Sequence, residues 1–265
     1  MTSIQKVLCV YCQENEADTV DHVPAANLFG RPRPSNLITV PSCSTCNGGF
    51  SKDDEYFRTA MTFRWDVSDH PAAVGPLQSA LRSISKSRAA GLRRLFTDTL
   101  QSAPIITRGG VYVEEGARFE VDMNRIYGVV QRIIRGLHYK KTGVPIPVEQ
   151  RVIVLDDETL EQFAPVHRNE ILRTLAPMLQ GEPEVFGEET FLFFGKAKKI
   201  PQHRSGFWFF FSDHFLGCDI PTINPYDTLE FTRDATYHPV IIRIRTRRGV
   251  SVCVSMKKSG PFRPA

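Results

Sequence analysis

Four cysteines near the start of the chain stand in two pairs, Cys9-Val10-Tyr11-Cys12 and Cys43-Ser44-Thr45-Cys46. Two-residue spacing lets both sulfurs of a pair grip one ion from a tight turn, and two such pairs complete the tetrahedral four-thiolate shell of a structural Zn²⁺. A redox pair or chance spacing is the alternative, but the segment between the pairs is turn-rich and too poor in apolar periodicity to fold unaided. Between the pairs lie Asp21-His22 and Asn36, and Asn47 directly follows the last cysteine. A neutral imidazole is the natural base near pH 7. Hard oxygen donors, such as the Asp21 carboxylate and the Asn47 amide, suit Mg²⁺ or Mn²⁺. A base that activates water and a divalent ion that stabilises charge on phosphate are the two requirements for hydrolysing a phosphodiester.

The order Cys-x-x-Cys, Asp21-His22-Val23-Pro24, Asn36-Leu37, Cys-x-x-Cys-Asn resembles the HNH endonucleases, also called ββα-metal or treble-clef nucleases, in their four-cysteine form. The resemblance covers roughly Cys9 to Phe57. It implies a hairpin followed by a helix, with His22 as general base, Asp21 and Asn47 as ligands of a catalytic Mg²⁺ or Mn²⁺, and Asn36 steadying the loop and the imidazole. Two positions depart from the commonest pattern: Asn47 stands where the family more often has His, and Lys52 comes later than the usual lysine. The expected partner is nucleic acid, DNA in the first instance, and the expected role includes that of a restriction or phage-defence effector.

Each residue also has a plainer reading. His22 could pack in an inactive zinc finger, Asp21 could cap a turn, Asn36 could be a turn residue after Pro34-Ser35, and Asn47 could simply start a helix. Together these give the rival class, a non-catalytic zinc-dependent nucleic-acid-binding or regulatory protein. A zinc deaminase is excluded, because His22 is followed by Val23-Pro24 without the Glu that chemistry needs, and because Cys9 and Cys12 would close the ion against water.

Substrate contacts are expected from Arg31 and Arg33, in a proline-stiffened loop, and from Lys52. Arg82, Lys86, Arg88, Arg93 and Arg94 form a further basic stretch, and Arg243, Arg245 and Arg247 would share one strand face by period-two alternation. The net charge of +4 permits a polyanionic partner without requiring one.

The elements that must hold these residues follow from turn signals and periodicity. Gly48-Gly49 act as breakers, so a helix is expected from Ser51, with Asp53, Asp54 and Glu55 in its first turn, to about Trp65. Leu77 to Leu100 reads as one or two helices after a loop from Asp66 to Pro76. Ile105-Ile106, Val111 to Val113 and Arg118 to Val121 read as strands, the last two joined through Glu115-Gly116. The clearest helix runs from Met123 to Lys141, with Ile126, Val129, Val130, Ile133, Ile134 and Leu137 on one face and Gly143 beyond its end. Arg151 to Leu155 is a buried strand and Glu158 to Leu179 a helix. The tail turns to strands at Phe191–Phe194, Gly206–Phe211, Val240–Arg245 and Val250–Val254, and Phe207 to Phe211 read as buried on both faces. Isolated Cys218 and Cys253 read as small core residues.

With 265 residues, the chain divides into a zinc module over 1–66 and a larger α+β domain over 67–265, a domain of sensing, regulatory or nucleic-acid-binding role. That domain leaves room for a homo-oligomeric contact or a regulatory partner. The opening residues lack the features of a secretory signal and no apolar run would cross a bilayer, so a cytoplasmic protein is expected.

Overall fold

The structure, a computed structural model, describes residues 7–63, 71–106, 111–155, 162–169, 182, 184–186, 191–196, 206–211, 238–244 and 252–257. It is of mixed α+β class. Its first unit is an antiparallel hairpin of β1 (Thr19–Val23) and β2 (Ile38–Ser42), in a register that sets His22 opposite Thr39 and Asp21 opposite Val40. Strand alternation sorts the side chains: Asp21 and Val23 face inward with Ile38, Val40 and Ser42, whereas Val20 is exposed and His22 half-buried.

Helix α1 (Ser44–Thr62) follows β2 directly, seven residues before the start that the glycines suggested. Two groups outweigh Gly48 and Gly49. The Cys43 thiol caps the helix by accepting the Cys46 amide at 3.4 Å, and the Asp18 carboxylate accepts the Ser44 amide at 2.6 Å. Neither glycine meets anything a Cβ would strike, so each carries only the ordinary helix penalty of about 1 kcal/mol. The Ser51 hydroxyl bonds back to the Gly48 carbonyl instead of capping. Asp53, Asp54 and Glu55 therefore lie mid-helix and serve packing rather than the helix dipole.

Helix α2 (Pro71–Ile84) packs against α1, and α3 (Ala90–Thr97) packs against α2. Buried Arg58 reaches from α1 to the hydroxyls of Ser79 and Ser83 on α2 at 3.2 and 3.1 Å. Phe96 of α3 stacks on Tyr56 of α1 and meets Phe63 and Phe119 edge-on. Strands β3 (Gln101–Ile106) and β4 (Tyr112–Arg118) pair antiparallel, and Glu115-Gly116 lies inside β4 opposite Pro104 and Ala103 rather than at a turn. The expected strand at Arg118 to Val121 thus ends at Arg118.

Helix α4 (Met123–Thr142) forms as its periodicity predicts. The Asp122 carboxylate accepts the amides of Asn124 and Arg125, and Gly143 ends the helix at φ 74°, the left-handed conformation that favours glycine. All six predicted apolar positions are buried. Gly136 is needed for close approach to the hairpin, since a Cβ there would lie 2.5 Å from Cγ2 of Val23, the neighbour of His22. One core cluster runs from Cys9 and Val10 through Tyr56, Ile134 and Leu137 to Phe191 and Phe193, on both sides of residue 66.

The remaining described strands make a six-stranded sheet: β5 (Arg151–Leu155), β6 (Glu184–Phe186), β7 (Phe191–Lys196), β8 (Gly206–Phe211), β9 (His238–Ile244) and β10 (Val252–Lys257), ordered β5-β10-β9-β8-β7-β6. Only the β8–β9 pairing is parallel. The burial expected for Phe207 to Phe211 lies outside the described side chains, as do Cys218, Arg245 and Arg247; of the helix expected from Glu158 to Leu179 only 162–169 are described, helical over 165–169 and non-helical over 162–164. Arg243 falls on β9 and Cys253 on β10. No helix among the described residues is long and apolar enough to cross a membrane.

Two arginines tie α4 to α1. Arg125 pairs with Asp53 and lies 4.2 Å over the Tyr56 ring. Arg132, 6% exposed, pairs with Asp54, stands 3.6 Å from Asp21 and covers the Phe50 ring. Removing one member of a buried group leaves its partners charged and unpaired, a loss of about 3–5 kcal/mol. Arg132→Met is therefore expected to lower the urea-unfolding free energy by that order. Glu184→Gln, which breaks the half-exposed pair with Lys141, should change it by less than about 1 kcal/mol. Equal effects from the two substitutions would contradict the role given to Arg132.

Candidate metal centre and active site

The two cysteine pairs meet where the chain enters and leaves the hairpin. Cys9 and Cys12 lie on a knuckle closed by the Cys9 amide on the Asn15 carbonyl and the Gln13 amide on the Cys9 carbonyl, both at 2.9 Å, with Gln13 at φ 59°. The Val10 amide bonds to Pro41 in β2 at 3.0 Å, which brings this knuckle beside Cys43 and Cys46. The four sulfurs lie within 4.8 Å of one another. A tetrahedron with zinc–sulfur bonds of ~2.3 Å sets its sulfurs about 3.8 Å apart, and those of Cys12 and Cys43 stand at 3.9 Å.

The surroundings favour thiolates unequally. Burial works against the charged form of Cys9, yet the amides of Cys12, Cys43 and Tyr11 draw its pKa below the ordinary value. The Cys46 amide, followed by its thiol and the Asn15 side chain, draws Cys43 down. Burial and the Cys43 thiol push Cys46 up. Thiolates this close repel one another, and a dication removes the conflict by holding all four deprotonated. The donor set fits one Zn²⁺ in a closed, structural site.

Tyr11, between the first two cysteines, connects this centre to the hairpin. Its hydroxyl donates to Asp21 Oδ2 at 2.7 Å, and its ring meets Phe50 edge-on. Burial, and then the Asp21 charge, raise its pKa far above the ordinary phenol value. Asp21 is 5% exposed and shares Arg132 with Asp54. Burial raises the pKa of Asp54, against the pull of Arg132. The sequence reading missed Tyr11, Asp54 and Arg132. Arg125 and Arg132 do stand seven residues apart beside the apolar face of α4, and Asp53-Asp54 supply the opposite charge. That signal could have suggested a helix pair.

His22 and Asp21 point to opposite sides of β1, with Asp21 toward the interior and His22 half-buried on the outer side. Asn47, in the first turn of α1, donates its amide to the Val20 carbonyl at 3.0 Å and to Thr19 Oγ1 at 3.3 Å, so it fastens α1 to β1. Asn36 is exposed and donates to the Val185 carbonyl of β6 at 3.0 Å. No hydrogen bond joins it to His22 among the described residues. Arg31, Arg33 and Lys52 are exposed. The structure therefore brings Asn47 to β1 and gathers the four cysteines, while Asp21 and Asn36 are engaged away from the imidazole.

Comparison of the chain with protein-family models, with curated proteins and with solved structures returns no match.

A structural zinc makes a separable prediction. The purified chain should carry one zinc by elemental analysis, and Cys43→Ser should lose it together with the cooperative thermal transition. A metal-free Cys43→Ser protein with an unchanged melting curve would remove the structural role of the tetrad.

Proposed function

We propose that this chain is an HNH-type endonuclease that hydrolyses phosphodiester bonds in DNA, with His22 as general base. The observation that carries the reading is the sequence of elements around the tetrad: knuckle, hairpin with half-buried His22, then a helix capped by the third cysteine and tied to β1 by Asn47. This order agrees with the ββα-metal, or treble-clef, module that the motifs suggest. It also supplies what a base requires, an imidazole on a strand whose other face is anchored to the interior.

In this mechanism neutral His22 accepts a proton from water, the water oxygen attacks phosphorus, and the bond to the leaving oxygen breaks. Arg31, Arg33 and Lys52 offer cations to the flanking phosphates. Asn36, fastened to β6, would steady the loop leading into β2. Mg²⁺ or Mn²⁺, when bound, would stabilise charge on the phosphate and leaving oxygen. Asp21 and Asn47 are the ligands that the resemblance names for it. As they stand they do not fit a shared ion: the Asp21 carboxylate is taken up by Tyr11 and Arg132, and the Asn47 amide is bonded to β1.

The engagement of Asp21 favours a second reading, a zinc-dependent DNA-binding protein that does not cut. One experiment separates the two. Wild-type chain incubated with plasmid and Mg²⁺ or Mn²⁺ should cleave it, and His22→Ala should retain zinc and melting temperature while cleaving about 10²–10⁴-fold more slowly. Equal cleavage by the mutant would remove His22 as base. Binding without cleavage by the wild type under either ion would favour the second reading.

A further inference from the structure

We infer that α2 and α3 continue the basic loop at Arg31 and Arg33 as one track for the phosphate backbone of duplex DNA. The inference rests on the proposed action on DNA and names the surface that holds it.

The charge distribution is the first ground. Residues 22–52 and 71–97 contain no Asp or Glu, yet carry Arg31, Arg33 and Lys52 in the first segment and Arg82, Lys86, Arg88, Arg93 and Arg94 in the second. These eight cations exceed the whole-chain net charge of +4, so the rest of the chain is net acidic. Such segregation builds a local positive potential that the modest total conceals.

The packing is the second ground. A Cβ on Gly75 of α2 would lie 3.2 Å from the Gly30 Cα, and one on Gly30 would lie 3.7 Å from Pro76 Cδ. The start of α2 thus rests against the residue that precedes Arg31, and the two acid-free segments join there. Ser79 and Ser83 hold the inner side of α2 against Arg58. Gln78, Leu81, Arg82 and Ser85 are left exposed. Arg93 is taken by the Ile84 carbonyl, at 2.9 Å, and drops out. Arg82, Lys86, Arg88 and Arg94 are exposed and enter no ion pair among the described residues.

From Gly75 to the end of α2 is about 14 Å at 1.5 Å per residue. That is the axial rise of roughly four base pairs. A surface on which none of these four arginines and lysines meets a carboxylate, continuous with the loop that leads from His22, matches a phosphate backbone better than an apolar or basic partner. Val74 and Leu81 on α2 and Leu95 on α3 are exposed large apolar side chains, fewer than the cations that share these helices and the turn between them.

The test compares two charge deletions of equal size in the full chain, each in the His22→Ala background so that binding is read without cleavage. One is Arg82→Gln with Arg88→Gln, and the other is Arg118→Gln with Lys140→Gln, exposed residues outside the track. Both proteins are first checked for unchanged zinc content and melting temperature. Anisotropy of a labelled duplex is then titrated across salt concentrations. The track pair should weaken binding and flatten the slope of log affinity against log salt by about 1.8, or 0.9 for each phosphate no longer neutralised. The control pair should leave the slope unchanged. Equal weakening by both pairs, or none by the track pair, overturns the inference. So does binding to vesicles of phosphatidylserine and phosphatidylcholine that exceeds duplex binding and is abolished in the same pair. If wild-type protein cuts DNA while the track pair leaves the salt slope intact, the track fails and the nuclease reading stands. If the duplex is bound through the track and never cut, the reverse holds.

Discussion

Four sulfurs within 4.8 Å of one another would repel as thiolates until a cation joined them, and the knuckle, hairpin and first helix all meet at that junction. The segment from Cys9 to Cys46 places Val10, Val23, Phe29, Ile38 and Val40 in the core, but its two short strands would be marginal alone. A dication held by the tetrad would turn that repulsion into attraction and join three parts at once: the knuckle before β1, the end of β2 and the first turn of α1. Because Cys43 is both a member of the tetrad and the helix cap, an ion held there would also hold the first turn of α1. The Cys43 and Asp18 caps account for a helix start ahead of the two glycines.

The constraint spreads from the metal centre by polar contacts rather than by apolar packing alone. Tyr11 lies between two ligands and holds Asp21; Asp21 faces Arg132; Arg132 neutralises Asp54 on α1 and lies over Phe50. Knuckle, strand, first helix and fourth helix are thereby linked by one buried guanidinium. Such a group adds little net stability relative to an apolar filling, but it allows few alternative packings, since any other arrangement leaves a charge buried alone. It also determines which way β1 faces. With Asp21 required inside, alternation turns His22 out.

The sequence was most legible where periodicity or ligand spacing is local. The tetrad, the apolar face of α4, its Gly143 end and strands β5 and β7 followed from residue type and interval. The start of α1 was not legible, because glycines signal a break unless a side chain outside the helix caps it, and the caps are a zinc ligand and an aspartate from before β1. The hairpin of β3 and β4 was misjudged because Glu115-Gly116 resembles a turn, whereas the pairing with Gln101 to Ile106 decides its place. Roles at the site were least legible. Asp21 and Asp54 look like a possible ligand and a helix-start acid until α4 brings Arg132 between them, and that meeting is set by residues nearly eighty positions apart.

The acid-free segments follow the same logic in reverse. Where carboxylates hold helices together, as at Asp53 and Asp54, they are paired with arginines of α4. Where they are absent, the cations of the hairpin loop and of α2 and α3 stay uncompensated. The carboxylates of Asp21 and Asp54 are thus paired in the interior, and Arg31, Arg33, Arg82, Lys86, Arg88 and Arg94 stand on the surface. A polyanion approaching α2 and α3 would meet arginine and lysine that enter no ion pair among the described residues, whereas Asp21, Asp53 and Asp54 each face an arginine of α4.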